Sequence, residues 1–320
     1  MLVYYGKLPA FGDFIRYNAT GPEIQALDQW MQEAIYFSKR RLQPNADLAF
    51  KRAPLFHFFL SFKGSMNYLT GIIKPSRDKV GRIYPFMVGM LCNESVMGRN
   101  CQPFLPVVFQ SFYDQVGRFI DDAYIASTSD EVYERAQALQ TFIQSMKPDD
   151  DESFRSYVQS TSVNEYLSSV LEGDPQTKKN LLFKNLVDMS QYIINGDIHS
   201  LDFGFRFPLQ PSPESLQHSV SFWIRLFFSW IGNRDTQPYA FWGAGDSHEV
   251  SNLYLFFRQP SPHTFTYMIQ SKLATDLIYR MDVDGGSSSV PPGEKIPPHI
   301  KNILGSGDST LNNLLQSTLT

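Results

Sequence analysis

From Leu55 to Phe62 the chain places Phe56, Phe58, Leu60 and Phe62 at every second position, with His57, Phe59 and Ser61 between them. Only a strand puts alternate residues on one face, so this run requires a sheet with a large apolar face to bury. The same period returns at Leu201, Phe203, Phe205 and Phe207. Around these runs the apolar spacing changes to three and four residues, the period of a helix. A chain of 320 residues that alternates in this way, with 42% hydrophobic and 19% charged residues, reads as an ordered α/β protein. The length suits two domains, or one large domain with an insertion.

Leu2 to Tyr5, ended by Gly6, predicts a first strand. Ile24, Leu27, Met31, Ala34 and Ile35 predict a helix over 22–42, with Pro22 in its first turn. Strands follow at 55–62, 68–74 and 83–91; the last is apolar on both faces and is therefore expected at the centre of its sheet. A helical region is predicted over about 105–195. Leu105, Val108, Phe112, Val116, Phe119, Ile120 and Ala123 form one stripe, and Val132, Ala136, Leu139, Ile143 and Met146 a second. The run Asp149-Asp150-Asp151-Glu152 reads as a solvated loop, with further helices at 163–172 and 178–194.

A strand at 201–207 precedes a helix over 213–232, strands at 239–242 and 253–258, and a last helix over 262–281, where Phe265, Ile269, Leu273 and Leu277 recur at every fourth position. The α/β domain is thus expected to span 1–283. Gly285-Gly286-Ser287-Ser288-Ser289, Pro291-Pro292 and Pro297-Pro298 mark 284–320 as a flexible tail, with 300–304 and 311–315 as loose ends within it. No internal repeat is visible.

Several function classes are disfavoured. The net charge is −4, the pI about 5.9, and the longest basic run Lys39-Arg40-Arg41, so a dedicated nucleic-acid binder is not expected. The most apolar stretch, Val220 to Ile231, contains Arg225 and is shorter than the roughly 20 residues of a membrane span. The first residues lack a basic region followed by an apolar one, so a cytoplasmic protein without a signal peptide is expected. Cys92 and Cys101 match no zinc spacing and read as reduced thiols; His57, His199, His218, His248, His263 and His299 are scattered and read as structural. No metal and no cofactor are expected.

Two loops concentrate the unusual residues: Gly6-Lys7-Leu8-Pro9-Ala10-Phe11-Gly12-Asp13-Phe14 and Lys74-Pro75-Ser76-Arg77-Asp78-Lys79-Val80-Gly81-Arg82-Ile83-Tyr84-Pro85-Phe86. Gly6, Gly12 and Gly81 allow tight turns or close backbone approach, while Pro9, Pro75 and Pro85 stiffen the chain. The planar guanidinium of Arg82 is suited to a carboxylate, and an Asp13–Arg82 pair joining the loops is the expected contact. Broken when buried, such a pair costs about 3–5 kcal/mol; exposed, about 0–1 kcal/mol. The loops lack Walker A spacing, yet Lys7, Lys74, Arg77, Lys79 and Arg82 leave open an anion site of a nucleotide- or phosphate-binding enzyme or sensor. Asp13 with Asp78 leaves open a carboxylate pair for acid/base work.

Gly6, Lys7, Leu8, Pro9, Gly12, Asp13 and Phe14, followed by Pro75, Ser76, Asp78, Val80, Gly81, Arg82 and Pro85, resemble the two motifs of the TagF (ImpM) family of type VI secretion; Tyr84 stands where that family carries Phe, and Trp30 falls where it tends to carry Trp. The resemblance is firm over about 3–92. It weakens beyond, where Phe241-Trp242, Leu253–Phe257 and Pro260-Ser261-Pro262 are similar to the family's C-terminal pattern. It implies a three-layer α/β/α arrangement with a mixed sheet, longin-like in part, here with a central helical region at about 125–195 enlarged relative to the family, and a cytoplasmic regulator rather than an enzyme. Such a regulator would repress assembly of the secretion machine after translation by binding a forkhead-associated-domain scaffold. A structural subunit of the machine is the remaining alternative. Gly6, Pro9, Gly12, Phe14, Trp30, Pro75, Ser76, Gly81 and Pro85 are then structural, while Lys7, Asp13, Arg77, Asp78, Lys79 and Arg82 contact a protein partner or brace the loops.

Overall fold

The computed structural model describes residues 1–62, 65, 67–93, 105–146, 152–210, 212–232, 238–243, 251–283, 296–317 and 319. The acidic run 149–151, Cys101, His248 and the Gly/Pro-rich stretch 284–295 fall outside them. The strands are β1 (Leu2–Gly6), β2 (Ile15–Tyr17), β3 (Phe56–Ser61), β4 (Asn67–Lys74), β5 (Phe86–Asn93), β6 (Gly204–Pro208), β7 (Tyr239–Gly243), β8 (Asn252–Phe256) and β9 (Ile278–Arg280). The helices are α1 (Pro22–Leu42), α2 (Ala46–Arg52), α3 (Leu105–Val108), α4 (Gln110–Ile125), α5 (Ser129–Ser145), α6 (Glu152–Ser160), α7 (Val163–Val170), α8 (Pro175–Ile194), α9 (Pro213–Ile231), α10 (Thr264–Ile269), α11 (Pro298–Gly305) and α12 (Leu311–Gln316).

All nine strands form one sheet in the order β2-β1-β5-β4-β3-β7-β8-β6-β9. Every pairing is antiparallel except β6 with β9, so the sheet is mixed. The pairing of β3 with β7, with Phe58 opposite Phe241, joins the strands of the first 93 residues to those beyond 200. β5 lies between β1 and β4 and is apolar on both faces, as expected of an interior strand.

The alternation along each strand divides the core in two. Val3, Phe56, Phe58 and Leu60 face one apolar cluster, covered by α1, α2 and α10. Leu2, Tyr4, Phe59, Phe205 and Phe207 face the other, covered by the helices between β5 and β6 together with α9, α11 and α12. The result is three layers: helices, sheet, helices. Trp30 on α1 is typical of the first cluster. It stacks on Phe241 at 5.6 Å between ring centroids, meets Phe265 edge-on, and donates its indole N–H to the Pro260 carbonyl at 2.8 Å.

Three sequence expectations are corrected. First, the helix expected over 262–281 ends at Ile269, and Ile278–Arg280 is the edge strand β9. Phe265 and Ile269 are buried, whereas Leu273 is 37% exposed, so the four-residue spacing does not continue as a buried stripe. The open edge of β6 takes up the chain instead. Gly204 donates its N–H to Leu277 and Met281 donates to Arg206, and these ladder bonds outweigh local helical spacing.

Second, residues 296–317 are not a flexible tail. Ile300, Leu311 and Leu314 are fully buried and Leu304 nearly so, in the same cluster as α9. Val163 donates to Ser309 and Leu311 to Thr161, stitching the segment to α7. Lys179 reaches the Leu304 carbonyl at 2.7 Å, placing a cation at the C-terminal end of α11. Packing therefore extends past the expected limit at 283. Third, the short strand β2 and the helix α2 are unforeseen, being only three and seven residues long.

Candidate functional site

The two motif loops meet at the β1–β5 side of the sheet. Gly6 ends β1 opposite Phe86, with φ +142°, and a Cβ there would lie 2.2 Å from the Pro85 carbonyl oxygen. Only glycine permits both that backbone conformation and that approach. Beyond it the chain turns, with Phe11 donating to the Leu8 carbonyl. In the second loop Gly81 donates to the Asp78 carbonyl and has φ +88°, so this turn requires a residue tolerant of positive φ.

Asp78 is the centre of the junction and is only 2% exposed. Its Oδ1 accepts the backbone N–H groups of Val80 at 3.1 Å and Arg82 at 2.8 Å. Its Oδ2 accepts Lys7 Nζ at 2.9 Å and Arg82 Nε at 2.6 Å. Burial by itself would raise this carboxyl's pKa, but the hydrogen bonds from Lys7 and Arg82 prevail and hold it well below the usual carboxylate range. The two loops are also joined by main chain: Lys79 donates to the Phe11 carbonyl at 2.8 Å, and Arg82 Nη2 reaches the Gly12 carbonyl at 2.6 Å.

An aromatic cluster lies beneath. Lys7 Nζ sits 5.0 Å from the centre of the Phe14 ring, a cation–π distance. Phe14 stacks on Tyr5 at 5.1 Å and meets Tyr84 edge-on at 4.8 Å. Tyr84 donates its hydroxyl to Asp28 Oδ1 on α1 at 2.5 Å. Burial and the Asp28 carboxylate push the Tyr84 phenol far above its ordinary value, and the same two causes push Tyr5 up to about 12. On the other face of the sheet, Tyr124 of α4 donates to the Pro75 carbonyl at 2.6 Å, and Lys74 pairs with Asp121 at 2.7 Å. Both faces thus fix the second loop.

The structure brings the two motifs together but corrects the pairing. Asp13 does not hold Arg82; its Oδ1 accepts the N–H of the adjacent Phe14, and the residue is exposed. Arg82 instead returns to Asp78 four positions earlier, a spacing short enough to close one turn, while Asp13 is held outward by its own local bond. Lys7, expected as a partner-contact candidate, is buried. Gly12, Pro9, Arg77, Lys79 and Arg82 are exposed, and Val80 at the tip is 71% exposed. Pro85 and Ser76 line the inner side of the second loop, where Ser76 accepts the Tyr84 backbone N–H. Trp30 lies in the core under β7, away from the loops. Asp28 and Tyr124 were not legible as site residues, because each acts through hydrogen bonds to residues distant in sequence.

The junction offers little for a small ligand. All four hydrogen bonds received by Asp78 come from the protein itself. The two cavities described, one under Tyr5, Asp28 and Tyr84 and one under Trp30 and Phe241, measure about 10 and 20 Å³, room for about one water each. Among the described residues no cluster of three His, Cys, Asp or Glu side chains could hold a metal, and no helix is long and apolar enough to cross a membrane.

Fold and junction together define a three-layer α/β protein whose polar motif residues secure its own loops and leave a basic rim outside. Residues 3–142 match the family described as the TagF N-terminal domain, type VI secretion system-associated. The match takes in both loops, α1 and the helices that brace the second loop. The crystal structure of PA0076 from Pseudomonas aeruginosa PAO1 is similar in fold, with a TM-score of 0.52 and 16% identity, over 86% of this chain and 96% of that one. No curated protein matches the chain.

Proposed function

We propose that this protein is a non-catalytic regulator of a bacterial type VI secretion system, acting in the cytoplasm. It would restrain assembly of the machine by docking its forkhead-associated-domain scaffold. The observation that carries this reading is the state of Asp78: buried, ionised and bonded four times within the chain, it is held as a structural anion rather than an acid or base. Lys7 is occupied in the same way, which removes the cation that a phosphate-binding loop would have used. The exposed Arg77, Lys79 and Arg82 remain as a rim of like charge on a fixed scaffold, suited to an acidic surface on a partner. The test is calorimetric titration of the purified chain with the purified scaffold. Binding that is weakened at least tenfold by Arg77→Glu with Lys79→Glu supports the reading. No binding by the unaltered chain, or sustained turnover of a nucleotide, overturns it.

A further inference from the structure

A second polar cluster lies at the opposite edge of the sheet from the motif loops. There β6 and β9 run parallel, with Arg206 directly opposite Arg280. Arg206 alternates with Phe205 and Phe207, which enter the core on one face, so its own side chain points to the other face, and Arg280 lies beside it. Like charges directly paired across strands destabilise a sheet unless something neutralises them. Here one carboxylate is available. Asp282 receives Arg206 Nη2 at 3.1 Å and faces Arg280 Nη2 at 3.7 Å, and among the described residues it is the one acid paired with either guanidinium. Lys178 adds a third cation, donating from Nζ to the Asp282 main-chain carbonyl at 3.2 Å.

The remaining donors make the cluster incomplete. Arg206 is only 6% exposed; its Nη1 is satisfied by the Ser271 carbonyl at 2.9 Å, but its Nε is buried with no acceptor. The Nε of Arg280 is likewise buried and unpaired, while the rest of that side chain is 35% exposed. Leaving a buried charged donor without an acceptor is unfavourable. Burial and the adjacent Arg206 both lower the Arg280 guanidinium below its ordinary value.

We propose that Arg206 and Arg280 form a subsite for a phosphate-class oxyanion, entering past Arg280. Two guanidinium edges and a nearby ammonium suit a group with three or more acceptor oxygens, which a phosphoryl group has and a carboxylate lacks. The anion supplies the acceptors that the two Nε donors lack and restores charge balance at the β6–β9 edge. This site shares no residue with the motif loops and does not depend on the reading above.

The test is thermal melting of the full chain in increasing inorganic phosphate, against sodium chloride of matched ionic strength. A ligand that binds only the folded state raises the melting temperature by mass action, so a saturable rise in phosphate and none in chloride is expected. Arg280→Gln should raise the half-saturating concentration at least tenfold. Asp282→Asn, which removes the competing carboxylate, should lower it, a change that damage to the fold does not produce. A parallel titration with phenyl phosphate separates the sources: a stronger response than to phosphate assigns the group to a larger ligand, an equal one to the free anion, and both support the site. Identical melting in phosphate and chloride overturns the proposal. So does a phosphate response that Arg280→Gln leaves unchanged, or one that a folded Asp282→Asn weakens.

Discussion

The Lys7 ammonium and the Asp78 carboxylate meet at 2.9 Å across 71 residues of sequence, with both side chains buried. This contact, not an Asp13–Arg82 pair, locks the two motif loops. It assigns different roles to the two cations on Asp78. Lys7→Met leaves a buried carboxylate with one cation fewer and should destabilise the fold by about 3 kcal/mol. Arg82→Met acts where the side chain is 59% exposed and should cost about 1 kcal/mol or less. Urea denaturation of both variants checks the order; an equal loss would mean that the buried bond is no stronger a brace than the exposed one.

Acid should unfold the protein in two separable ranges. His57 stacks on Trp242 at 5.7 Å, its Nδ1 is buried without a partner, and burial lowers its pKa from 6.5 to about 4. The unfolded chain takes up this proton first, so stability falls as pH drops from 6.5 to about 4 and is flat in this respect above 6.5. His57→Phe should flatten the curve over that range. A melting temperature with the same slope in both proteins would remove His57 as the cause.

Asp78 contributes in a lower range. Its folded pKa is depressed, so its stabilisation is complete above the ordinary aspartate value of 3.8 and is lost as pH falls below it. Asp78→Asn should melt lower than the parent at pH 7, and the gap should narrow as the pH drops below 3.8. A gap that stays constant to pH 2 would show that the ionised form is not what matters.

Trp30→Ala removes a large buried ring, its stacking on Phe241 and its bond to Pro260. A loss of about 3–5 kcal/mol is expected in chemical denaturation, with no change in the charged rim and hence no separate effect on partner binding in the folded protein. Scaffold binding abolished in a folded Trp30→Ala variant would instead link the core to the docking surface.

Deleting residues 284–320 should lower the melting temperature and increase binding of an apolar dye, because Ile300, Leu304, Leu311 and Leu314 cover the helical layer. An unchanged melt would mean that these helices contribute nothing to the fold.

Long elements were legible in the sequence because burial repeats along them. The helix expected over 22–42 is α1, and the alternation through Phe56, Phe58 and Leu60 does divide the two cores. Elements fixed by distant partners were not legible. β9 is a strand because β6 has an edge to fill, and Leu311 and Leu314 dock because α9 and the neighbouring helices leave room for them. At the site, the two loops and their glycines could be picked out by composition. The pairing within them could not, since Asp13 and Asp78 are alike as residues and differ only in burial.

The seam between β3 and β7 has a consequence in time. Phe58 is synthesised about 180 residues before Phe241, the neighbour that covers its strand. At usual translation speeds of about 5–20 residues per second, the nascent chain holds a Phe-rich border open for roughly ten to forty seconds. Such a border is a template for pairing with another chain. The ribosome-bound protein is therefore most vulnerable to misassembly midway through its own synthesis, and the first half alone is a poor candidate for expression as a fragment.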